Sequence, residues 1–128
     1  KECDIASGNV TEPALKWALQ YTKKGRHALI SSDQDGTIKQ FFGFGQDDCK
    51  SLDAFGGYFP MDLYPMGLAD LQATFMGNPG SHAFIISSNT HVWTLQSPGK
   101  VMSEGVVLRD WIKDFLDPSS DWQDVVPK

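Results

Sequence analysis

The chain has 128 residues, a length that fits one domain, 1–128, and leaves little room for a second. Its 11 basic and 16 acidic side chains give a net charge of −5, which disfavours generic nucleic-acid binding because phosphate neutralisation needs a basic surface. The longest apolar run, Ala83-Phe84-Ile85-Ile86, falls far short of the roughly 20 residues of a membrane span, and aromatic-rich composition argues against intrinsic disorder.

Residues 1–10 read as an N-terminal arm. The start, Lys1-Glu2-Cys3, carries neither an initiator Met nor a signal peptide, as expected of a mature secreted or periplasmic protein. The two cysteines, Cys3 and Cys49, form an even set, and a disulfide between them would tie the arm to the middle of the chain. Closing a loop of about 47 residues contributes on the order of 4 kcal/mol in the chain-entropy account. Two reduced thiols are the alternative. Asn9-Val10-Thr11 is a glycosylation sequon, a triplet that chance often supplies.

A first helix is signalled by Thr11 as N-cap, Glu12 and Pro13 in the first turn, and Leu15, Ala18, Leu19 and Thr22 on one face. Gly25 stops it, with Lys23, Lys24 and Arg26 at the carbonyl end. Two β-prone runs follow, 27–32 and 37–42, separated by Asp33-Gln34-Asp35-Gly36, which reads as a hairpin turn. The stretch 67–76 reads as a short helix ended by Gly77 and Pro79. Residues 81–88 and 91–96, joined at Asn89-Thr90, read as a second hairpin that echoes the first. The last helix carries Val107, Leu108, Trp111, Ile112, Phe115 and Leu116 at the helical period, is capped near Ser103 and is stopped by Pro118. A polar tail, 119–128, contains Trp122, Val125 and Val126.

These elements predict an α+β fold: an antiparallel sheet built from two β-hairpins, in the order α-ββ-α-ββ-α, with helices packed on the sheet. Residues 83–86, apolar without interruption, suit a central strand covered on both faces.

Few residues suggest chemistry. Asp33, Asp35 and Gly36 touch the calcium-loop pattern, but Phe42 stands where a bidentate Glu belongs. No histidine or cysteine spacing suits a metal site, and no cofactor is implied. Ser81-His82-Ala83-Phe84-Ile85-Ile86 resembles the histidine strand of small cell-wall peptidases, which implies a cysteine hydrolase using Cys49 and His82. Asp47 and Asp48 oppose that role, since neighbouring negative charge raises a thiol pKa. Residues 92–122, with Asp110–Pro118, resemble the last strand and helix of non-catalytic thioredoxin-like modules, without their redox cysteine pair.

The segment 55–66 holds four aromatics, two Met and two Pro with a single charge. Pro60 and Pro65 oppose regular structure there, and aromatics and Met are enriched in protein interfaces. A lid folded onto the core is the alternative. The expected function is therefore protein binding by an exported inhibitor or immunity-type domain whose acidic surface suits a basic protein partner. Phe59, Met61, Leu63 and Tyr64 are the expected partner-binding anchors. The turns Asp33–Gly36 and Ser88–His91 are the next candidate contact surface.

Overall fold

Two six-residue strands lie side by side at the centre of the described structure: β1, His27–Ser32, and β2, Ser81–Ile86. They come from a computed structural model that describes residues 19–20, 25–38 and 63–128. The strands pair in parallel, from His27 opposite Ser81 to Ser32 opposite Ile86. A parallel pair needs a crossover, and α1, Leu63–Met76, lies within it.

This corrects the expected antiparallel sheet of two hairpins. Among the described residues no hairpin turn follows β1: the Asp35 carboxylate accepts the Ile38 N–H at 2.8 Å, and residues 36–38 are helical. Asp35-Gly36 thus opens a helical turn in place of a hairpin. After β2 the chain enters a single 3-10 turn at Trp93–Leu95, where a second strand was expected. The Trp93 indole N–H donates to Ser32 Oγ at 2.9 Å, drawing this segment across the end of β1. The one hairpin among the described residues joins β3, Met102–Ser103, to β4, Val106–Val107. Its turn uses Glu104 (φ 47) and Gly105 (φ 80), the left-handed pair of a two-residue hairpin.

Alternate side chains of β2 serve two cores. Ala83 and Ile85 face Leu68 of α1, with Tyr64, Leu71 and Leu29 packed around them. Phe84 and Ile86 join Val101, Leu108, Trp111, Trp122 and Val125 on the other face. The period of two therefore sends neighbouring residues to opposite layers. Burying a residue such as Phe84, which exposes 0% of its surface, contributes roughly 1.5–3 kcal/mol. The expectation of a central strand covered on both faces agrees with this arrangement.

α1 starts earlier than the periodicity suggested, because Pro65 sits in the first turn, where its missing N–H costs no helical bond. Tyr64, Leu68, Leu71 and Phe75 form its inward stripe. Gly80, at φ 78, makes the left-handed bend that leads into β2.

The last helix, α2, spans Leu108–Leu116 and follows β4 directly. Ser103 does not cap it; its hydroxyl donates to Ile85 O at 2.5 Å. The first helical N–H groups instead reach the Val101 and Pro98 carbonyls, at 2.9 and 3.0 Å. At the other end Arg26 donates to the carbonyls of Asp114, Phe115 and Asp117 and lies over the Trp122 ring, 4.8 Å from its centroid. A cation at the carbonyl end complements the helix dipole. The tail returns to the sheet, where Val125 exchanges two backbone hydrogen bonds of 2.8 Å with Ala83 and Ile85 beside Phe84. Among the described residues no helix is long and apolar enough to cross a membrane.

Candidate functional site

Parallel pairing brings the C-terminal ends of β1 and β2 to one edge, and the two loops that leave them are joined there. Asp33 N–H donates to Ile86 O at 3.0 Å, Gln34 N–H to Ser88 O at 3.1 Å and Gly36 N–H to Asn89 O at 3.3 Å. The Asp33 carboxylate accepts from the Ser87 hydroxyl at 2.7 Å and from the Ser88 N–H at 3.1 Å. Ser32 Oγ donates to the Thr90 carbonyl, and Tyr64 donates to the Ser32 carbonyl at 2.9 Å. Ser88 Oγ accepts the Thr90 N–H at 3.1 Å, tightening the second loop on itself.

This frame places Asp35 against His91. Asp35 Oδ2 lies 2.8 Å from His91 Nδ1, and Asp35 is only 3% exposed. Its other oxygen holds the Ile38 N–H, so both carboxylate oxygens are occupied. A carboxylate only accepts hydrogen bonds, so the neutral His91 ring carries its proton on Nδ1 and its lone pair on Nε2. The His91 side chain is 38% exposed. A buried carboxylate thus orients an imidazole that remains open to a reactant.

Beside His91 lies a groove of about 370 Å³, lined chiefly by Ile30, Val92, Trp93, Leu108 and Ile112. Its walls come from β1, the loop after β2 and α2. Crevices outside the carboxyl ends of parallel strands are where open α/β sheets bind ligands.

The expected site residues fall elsewhere or outside the description. Cys3, Cys49, Phe59 and Met61 lie outside the described residues. Leu63 is the first residue of α1. Tyr64 is half-buried, packs against the Leu68 cluster and directs its hydroxyl to Ser32. Burial pushes its phenol pKa up, the largest of several effects, with the Asp35 and Asp33 charges acting in the same direction. His82 stacks edge-on against Trp122, with centroids 4.7 Å apart, and its Nδ1 lies 3.2 Å from Asp124 Oδ2. His27 meets the edge of Phe75, with ring centroids 6.4 Å apart.

The sequence reading missed the Asp35–His91 pair. It took Asp35-Gly36 for a hairpin turn and the echo between the two β-prone runs for two hairpins. The same echo is what two equivalent strands of one parallel pair would show, with a carboxylate after the first and an imidazole after the second. Comparison of the chain with models of known protein families, with curated proteins and with solved structures finds no match.

Proposed function

We propose that the chain supplies the acid–base pair of a hydrolase acting on a carboxylic ester, with His91 as general base and acid and Asp35 as its orienting carboxylate. The observation that carries this reading is the 2.8 Å contact between a buried carboxylate and Nδ1 of an accessible imidazole. Nε2 takes a proton from a water molecule as the water oxygen bonds to the ester carbonyl carbon. The tetrahedral adduct then expels the alcohol oxygen, and the imidazolium returns the proton to it. Ester and water give acid and alcohol, and the pair is regenerated. Asp35 stabilises the imidazolium while it exists.

The test is hydrolysis of p-nitrophenyl esters by the protein and by its His91→Ala variant. His91→Ala lowers kcat/KM at least about 10³-fold in a protein that stays folded, with some loss of stability because the buried Asp35 carboxylate loses its imidazole partner. Equal activity of the two proteins overturns the reading. Of the residues expected to bind a protein partner, Tyr64 directs its hydroxyl to the Ser32 carbonyl within the fold.

A further inference from the structure

The groove beside His91 carries a statement about substrate class, which rests on the acid–base reading above. Its lining contains no Asp, Glu, Lys or Arg; His91 and Gln96 are its polar members. The remaining surface is supplied by Ile30, Val92, Trp93, Pro98, Leu108 and Ile112. Four of these are held in place by the core: Leu108 belongs to the cluster around Phe84, and Ile30, Trp93 and Ile112 pack against it. The Trp93 ring is also fixed by its hydrogen bond to Ser32. The walls are therefore largely formed before any ligand arrives, which lowers the entropy lost on binding. A charged group placed there would lose hydration and meet no counter-charge. A volume of about 370 Å³ lies at the small end of ligand pockets.

We infer that this groove seats the apolar substituent, a short acyl chain, of an uncharged ester whose carbonyl is presented to His91. An apolar group against Ile30, Trp93 and Ile112 would bring the attached ester to the imidazole that shares the same lining. A carboxylate or phosphate on that substituent weakens binding through its desolvation cost.

Binding is tested apart from turnover with valerophenone, an uncharged aryl ketone that cannot be hydrolysed, and with 4-benzoylbutanoate, which bears a carboxylate at the end of a similar chain. Methyl resonances of Ile30, Val92, Leu108 and Ile112 report the site. Valerophenone is expected to shift them saturably, and 4-benzoylbutanoate to bind at least about 10-fold more weakly. Val92→Arg and Gln96→Arg, both at exposed positions, should each weaken valerophenone at least about 10-fold without altering the melt. Unmoved methyls, or equal affinity for the two ketones, overturn the inference. Ketone binding without His91-dependent ester hydrolysis overturns the acid–base reading and the substrate assignment with it. His91-dependent hydrolysis without ketone binding overturns the groove assignment alone.

Discussion

Asp35 and His91 stand 56 positions apart in the chain and 2.8 Å apart in space. The contact depends on parallel pairing of β1 and β2, which carries both loops to the same edge of the sheet. Asp35 serves two purposes there, since one oxygen meets the imidazole and the other caps the helical turn at 36–38.

Those two purposes separate by substitution. Asparagine also caps helices well, so Asp35→Asn keeps the bond to Ile38 but removes the charge that orients and stabilises the imidazolium. Ester hydrolysis should fall by roughly 10⁴, as it does when an analogous carboxylate is neutralised. Asp35→Ala loses the cap as well and should be less stable than Asp35→Asn by about 1 kcal/mol in denaturant melts. Full activity in Asp35→Asn would show that the carboxylate is structural only.

Trp111 is the central side chain of α2. It is buried, rests against Phe84 and Trp122 with centroids 5.3 and 4.9 Å away, and donates to Gln123 O at 2.7 Å. Trp111→Ala should cost roughly 3–5 kcal/mol, because it leaves a cavity and an unpaired carbonyl. A loss below about 1 kcal/mol would mean that the surrounding rings collapse into the space.

Glu104 occupies the left-handed region at φ 47, where a side chain with a Cβ is strained. Asparagine tolerates that conformation and is favoured at the first position of such a turn. Glu104→Asn should therefore raise stability by about 0.5–1 kcal/mol in the same melts. A neutral or negative effect would indicate that the Glu104 side chain contributes a compensating interaction.

Tyr64 links stability to alkaline pH. Burial raises its pKa in the folded protein above the ordinary 10.0. The unfolded state thus releases its proton at lower pH than the folded state does. The stabilising contribution is complete below pH 10.0 and is lost as pH rises through the folded value. Tyr64→Phe, which cannot ionise, should lose less stability between neutral pH and pH 11 than the parent protein (about one unit beyond the ordinary value). Parallel pH profiles for the two proteins would contradict the assignment.

Much of the architecture is legible in local patterns. The stripe Leu108–Trp111–Ile112–Phe115 marks α2 because a helix must bury one face, and its end at Leu116 lies two residues before Pro118. The apolar run 83–86 marks β2 as covered on both sides, since neither face has the polar residues that water requires. Gly77 and Pro79 mark the end of α1.

Tertiary structure alone decided strand direction, and with it the site. A β-prone run has the same composition whether its neighbour runs parallel or antiparallel, and Asp-Gly serves a hairpin turn or a helix start equally well. The choice follows from whether Asp35 finds Ile38 N–H and His91, and whether Trp93 finds Ser32. The Asp35–His91 and Trp93–Ser32 contacts join residues 56 and 61 positions apart, separations that carry no periodic signal. Periodicity and apolar content mark which segments are buried. Long-range hydrogen bonding and packing determined which loops meet, and so placed a carboxylate, an imidazole and an uncharged groove together.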